Sequence, residues 1–164
     1  MNPLDIDVVL VEDDARALNA MRSVLQRGWR ARGAVARVRI FRSSAAALDS
    51  LDGEGADLVL ADYRLAGLDG IEVLRRAHTL RACSGCILLS ASADYSFLLR
   101  AVNPAVAGRV MLKPWLDEEL LGASRQAVEL GRLMRDNAAL AEQARAHRNA
   151  NAVPSLPAAA DGNG

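Results

Sequence analysis

Two hydrophobic rhythms alternate along the first 113 positions of the chain. Short, nearly unbroken apolar runs predict strands at 7–12, 37–41, 58–61, 86–90 and 109–112. Such runs suit parallel strands covered on both faces, where no polar alternation survives. Between them, apolar positions spaced by three and four predict helices at 15–27, 45–51, 71–80 and 94–102. Asp69 with Glu72 forms a capping-box pattern ahead of the third helix, Ser43 and Ser44 can cap the second, and Gly28 and Gly53 stand at expected helix ends. Five strand-helix units in this order predict an α/β fold, a doubly wound parallel sheet with helices on both faces.

Beyond Pro114 the pattern changes. Asp117, Glu118 and Glu119 place negative charge in a first helical turn, where the helix dipole favours it. Helix-forming residues then run to Arg148, broken only by Gly122 and Gly131. A helix over 116–147 would be about 48 Å long at about 1.5 Å per residue, more than a small domain can cover. At heptad spacing one seam reads Ala123, Gln126, Leu130, Leu133, Asn137, Leu140, Ala144 and His147. Three leucines around a polar Asn137 fit a short coiled coil with a register-setting residue; a solvated, fraying helix is the competing reading. From Asn149 onward Pro, Ala, Gly and Asn dominate, the composition of a disordered tail. The expected organisation is a domain over 1–131, a helical extension over 132–148 and a tail over 149–164.

Charge removes whole classes of function. Twenty Lys and Arg balance 20 Asp and Glu, so no whole-chain basic field draws nucleic acid or an anionic membrane. No apolar run is long enough to span a bilayer, and the first residues lack the basic and apolar regions of a signal peptide, so a cytoplasmic location is expected. Of the 20 cations, 19 are Arg and one is Lys113. A lone lysine among arginines hints at a place that needs a compact ammonium rather than a planar fork. Cys83 and Cys86 form a C-x-x-C, but the pair follows a helix and precedes a strand, the reverse of the redox arrangement. They are read as two reduced thiols at a loop–strand junction.

In a doubly wound sheet, ligands bind beyond the carboxyl ends of the strands. The first strand ends in Glu12, Asp13 and Asp14, the third in Asp62, the fourth in Ser90 and the fifth in Lys113 and Pro114. With the first and third strands adjacent, three carboxylates converge opposite a hydroxyl and an ammonium. Two unit charges ~4 Å apart repel by about 4 kcal/mol at an effective dielectric of about 20, so in such a cleft either the pKa values rise or a cation is bound. Hard oxygen ligands suit Mg2+, and a cleft with Mg2+, a lysine and a hydroxyl suits a phosphoryl group attacked by a carboxylate.

The runs Val8-Val-Leu-Val-Glu-Asp-Asp, Leu58-Val-Leu-Ala-Asp-Tyr-Arg-Leu, Leu68-Asp-Gly-Ile-Glu-Val-Leu, Leu88-Leu-Ser-Ala and Lys113-Pro resemble the receiver domain of bacterial two-component response regulators. The resemblance covers residues 5 to 130. It implies a flavodoxin-like five-stranded sheet of order 2-1-3-4-5. It also implies that Asp62 is the phosphoacceptor and that Glu12 and Asp13 form the acidic metal pair for Mg2+. The backbone carbonyl of Arg64 would complete the protein ligands, Ser90 would be the switch hydroxyl, and Lys113 would pair with the phosphoryl group through a cis peptide to Pro114. Asp14 falls to the cap of the first helix. The implied phosphodonor is a histidine kinase or a histidine phosphotransfer protein, in a domain that is not an enzyme acting on an outside substrate.

Two positions depart from the family pattern. Ala66 stands where a proline is usual, and Val110 stands where the fifth strand usually carries Tyr or Phe. The second departure weakens the expected coupling between phosphorylation and the surface formed by the 94–102 helix, the fifth strand and the last helix. No helix-turn-helix or catalytic module is legible past residue 131, so output is expected through a downstream protein partner or a homodimer of the last helix.

Two rivals stand beside this reading. One is a receiver-shaped interaction or dimerisation module that works without phosphate. The other is a phosphatase of the Asp-nucleophile class, which needs Asp-x-Asp at the end of the first strand. Asp5-x-Asp7 lies at the wrong end, and Glu12-Asp13-Asp14 lacks the spacing.

Overall fold

The structure, a computed structural model, describes residues 2–80, 85–91 and 108–152. Its strands are β1 (Ile6–Val11), β2 (Ala36–Phe41), β3 (Leu58–Asp62), β4 (Gly85–Ser90) and β5 (Arg109–Leu112). The helices are α1 (Ala15–Arg30), α2 (Ser44–Glu54), α3 (Gly70–Leu80) and α4 (Asp117–Ala150). All strand pairs are parallel, in the order β2-β1-β3-β4-β5.

Alternation along each strand feeds two cores. Val8 and Leu10 of β1, Leu58 and Leu60 of β3, and Ile87 and Leu89 of β4 pack with α1 and α4 on one face. Val9, Val11, Val59, Ala61 and Leu88 pack with α2 and α3 on the other. Every residue of β3 and β4 is buried, which is why those runs read as continuously apolar. The edge strands β2 and β5 are less covered. On β2, Arg39 spans the exposed edge and donates to the Ser50 hydroxyl and the Gly55 carbonyl, closing the C-terminal end of α2.

Local signals behaved unevenly. Asp14 caps α1, accepting from the Arg16 amide at 2.8 Å, and Ser43 caps α2 through the Ala46 amide. Asp69 accepts from the Glu72 amide at 2.9 Å, while the Glu72 carboxylate is held by Arg75 and Arg76. Gly28 does not end α1, which runs to Arg30. A Cβ there would come within 2.2 Å of Leu121, so the glycine lets α1 and α4 approach closely. Gly53 lies in the last turn of α2, and Gly55, with φ of 69°, provides its end.

Helix α4 outlasts its expected end and reaches Ala150, so Asn149 and Ala150 are helical rather than part of a tail. Residues 153–164, the expected helix at 94–102 and Cys83 lie outside the described residues. Cys86 is buried in β4, and burial pushes its thiol up to about 12, which makes it inert as a nucleophile. Among the described residues no helix is long and apolar enough to cross a membrane.

Candidate functional site

Parallel register decides what meets at the C-terminal edge of the sheet. Val11 pairs with Ala61, Asp62 with Leu89, and Ser90 with Leu112. Glu12, Asp62, Ser90 and Lys113 are therefore brought to one edge, each at or one step past a strand end. Glu12, Asp62 and Ser90 are buried, at 4%, 7% and 1% exposure, the most enclosed polar cluster on the sheet. The Ser90 carbonyl accepts from the Lys113 amide at 2.7 Å, and the Lys113–Pro114 peptide that follows is cis.

The Lys113 ammonium bridges the two buried acids. Its Nζ lies 2.7 Å from Glu12 Oε2 and 2.8 Å from Asp62 Oδ1. Burial lowers the affinity of Lys113 for its proton, but the hydrogen bonds and charges of Asp62 and Glu12 outweigh this, and its pKa rises above the ordinary lysine value. The repulsion expected between the carboxylates is thus offset from within the chain.

Asp13 makes no contact with Lys113 among the described residues. Its side chain is exposed at the rim, because the chain turns at once into the Asp14 cap, and its carbonyl accepts from Arg42 Nε at 2.9 Å. Among the described residues no ready-made group of three metal-ligating side chains is found. The donors on offer, Glu12, Asp13, Asp62 and the Arg64 carbonyl just past β3, are all hard oxygens. That set fits Mg2+, which takes one or two carboxylates and completes its shell with water and phosphate oxygens.

The loop from Tyr63 to Asp69 frames the other side. The Tyr63 amide donates to Leu89 O at 2.8 Å and the Gly70 amide to Tyr63 O at 3.0 Å. A Cβ on Gly70 would lie 2.2 Å from the Asp62 carbonyl oxygen, so only glycine lets α3 start against the Asp62 backbone. Gly67 turns the loop with φ of 91°. Arg42 and the buried Ser44, which donates to Leu68 O at 3.0 Å, also serve this edge. The sequence offered Ser44 only as a helix cap and Arg42 as one arginine among many.

Residues 8–125 match the family profile of the response regulator receiver domain. Among curated proteins, the chain is 29% identical over 136 residues to the hydrogenase transcriptional regulatory protein HoxA of Cupriavidus necator, covering 83% of this chain and 27% of that one. It is 28% identical over 138 residues to the response regulator protein TmoT of Ectopseudomonas mendocina, covering 84% and 60%. The chain therefore spans only part of the length of these relatives. Among solved structures, the signal receiver domain of an HD domain-containing protein from Pseudomonas fluorescens superposes with a TM-score of 0.70 at 28% identity, covering 79% of this chain and 91% of that one.

Proposed function

The chain belongs to the response regulator receiver domain family, and on that premise we propose that Asp62 accepts a phosphoryl group from a histidine kinase or histidine phosphotransfer protein in the cytoplasm. The observation that carries the proposal is the Lys113 ammonium held between the buried Asp62 and Glu12 at the carboxyl edge of the sheet.

A carboxylate oxygen of Asp62 attacks phosphorus, the P–N bond to the donor imidazole breaks, and the imidazole leaves with its electron pair and is protonated from solvent. Lys113 exchanges its contact with Asp62 for one with the phosphoryl oxygens while keeping Glu12. Ser90, at the end of β4, supplies a hydroxyl on the far side of Asp62. Glu12, Asp13, Asp62 and the Arg64 carbonyl would hold Mg2+, whose charge would offset that of the phosphoryl oxygens. Later hydrolysis of the acyl phosphate returns the carboxylate and inorganic phosphate. The chain in this role is a signalling phosphoacceptor, with no outside substrate.

Output is proposed to pass along α4. Leu130, Leu133 and Leu140 are 51%, 60% and 62% exposed. At about 100° per residue Leu133, Asn137, Leu140 and Ala144 lie on the side opposite the buried Ser124, Val128 and Gly131, while Ala123, the first residue of the seam, is buried against the domain. The stripe from Leu130 onward thus points away from the domain, and a second copy offers the same seam with Asn137 opposite Asn137.

The test of phosphotransfer is intact mass after incubation with Mg2+ and acetyl phosphate. The expected result is a gain of one phosphoryl group that is lost in Asp62→Ala and in excess chelator. An adduct that persists in either case would remove Asp62 and the metal from their roles. No adduct in a folded protein would leave the phosphate-independent interaction module.

A further inference from the structure

We propose that the Ser44 hydroxyl is a positioning element for the phosphoacceptor loop, pinning the middle of the 63–69 segment from the first turn of α2. The loop is anchored at its two ends by the amides of Tyr63 and Gly70. Between those anchors it holds a glycine at positive φ and no proline, since Ala66 occupies the position where one would stiffen it. Free backbone residues carry conformational entropy, so a loop of this make-up does not hold a carbonyl in place by chain stiffness alone.

Ser44 supplies what the chain stiffness lacks. It is 3% exposed, and its Oγ lies 3.0 Å from Leu68 O and 3.5 Å from Ala66 O. One hydroxyl proton thus serves the part of the loop where neither end anchor reaches. The helix N-terminus is already capped by Ser43, so the Ser44 hydroxyl is not needed for capping. The inference rests on the proposed role of the Arg64 carbonyl as a metal ligand: a loop held at 66–68 fixes where that carbonyl stands before any ion arrives.

The test uses Ser44→Ala, a small substitution at a helical position where alanine is well tolerated. In metal-free protein, amide exchange across 63–69 is expected to rise about fivefold, the worth of one net hydrogen bond, with exchange in β1 and β3 unchanged. Mg2+ titration by amide chemical shift is expected to show about fivefold weaker binding. Ala66→Pro should restore both quantities in the Ser44→Ala background and change little in the Ser44 background, because proline and the hydroxyl restrict the same freedom. Unchanged loop exchange in Ser44→Ala, or an Ala66→Pro effect of equal size in both backgrounds, would overturn the proposal. Should Ser44→Ala lose stability throughout, equal exchange in the rescued double variant and the wild type still supports the tether, and faster loop exchange in the double variant overturns it. A wild type that binds no Mg2+ would sink the metal site, while the exchange measurement would still judge the tether.

Discussion

Both ends of the parallel sheet carry carboxylates, and the two ends treat them differently. At the N-terminal end, Asp5 accepts from the Val35 amide at 2.7 Å, and Asp57 accepts from the Asp7 amide at 3.0 Å. Arg37 closes on Asp7 at 2.8 Å, and Arg135 closes on Asp57 at 3.0 Å. Arg132 donates to the carbonyls of Pro3 and Asp5, both at 2.8 Å, so α4 is fastened to this end by Arg132 through both terminal nitrogens and by Arg135 through one. At the C-terminal end, one ammonium faces Glu12 and Asp62 while Asp13 remains exposed. Planar forks with fixed donors suit a permanent join, whereas a point charge on a flexible stem can change partners without rebuilding its surroundings. The only lysine sits between two acids at the end where the proposed phosphotransfer would exchange a contact, and Arg37, Arg132 and Arg135 make the joins at the other end.

Reciprocal substitution is the strongest way to break this contrast. Lys113→Arg keeps the charge, yet the rigid fork cannot take an ammonium's place beside both Asp62 and an incoming phosphoryl group. Phosphorylation by acetyl phosphate is expected to slow at least about tenfold, which corresponds to about 1.4 kcal/mol of lost transition-state stabilisation. Arg135→Lys at the other end should leave that rate unchanged and lower unfolding stability by about 1 kcal/mol, through a weakened contact with Asp57. Wild-type phosphorylation in Lys113→Arg, or a slowed rate in Arg135→Lys, would erase the distinction between the two ends.

A second pair of substitutions separates the fastened part of α4 from its free part. Leu133→Glu with Leu140→Glu places four carboxylates in the seam of any paired copies. Sedimentation should then give half the mass found for the unaltered chain, with phosphorylation unchanged. If the unaltered chain already sediments as a monomer across the same concentrations, the exposed stripe serves something other than self-pairing.

The contrast also shows what was legible in the sequence. The central strands could be placed because burial on both faces leaves an unbroken apolar run, as in Leu58–Asp62 and its neighbours. Asp14, Ser43 and Asp69 were legible because a cap is a contact two or three residues long. Glu12, Asp62, Ser90 and Lys113 were found from strand ends and a motif resemblance, and the parallel register brings them to one edge. The exposure of Asp13 was not legible, since it depends on where the chain turns after Glu12. Arg132 and Arg135 were also hidden: their partners lie far away in sequence, at Pro3, Asp5 and Asp57. Gly28 misled because a glycine near a helix end signals termination, and here the cause is the Leu121 side chain of α4.

The finest probe of the contrast is the titration of Lys113 itself. Guanidinium groups keep their protons at every pH a folded protein tolerates. Lys113 can lose its proton, and its pKa lies above the ordinary lysine value because Asp62 and Glu12 hold the charged form against the cost of burial. For a cation whose folded pKa is raised, the associated stability is fully present below the unfolded lysine value. It is lost as pH climbs through the folded value. The loss therefore falls on the alkaline side only, and no change from this group is expected between neutral pH and the ordinary lysine range. Because the chain contains one lysine, carbon-labelled lysine gives a single side-chain resonance whose midpoint reports this group alone. The midpoint is expected above about 10.4, the value for an unperturbed lysine. Asp62→Asn removes one of the two acids and should move it downward, while Asp57→Asn at the opposite end should leave it in place. A midpoint at or below the ordinary value in the unaltered chain would mean that burial outweighs the two acids, and that the ammonium is not held between them as the geometry shows.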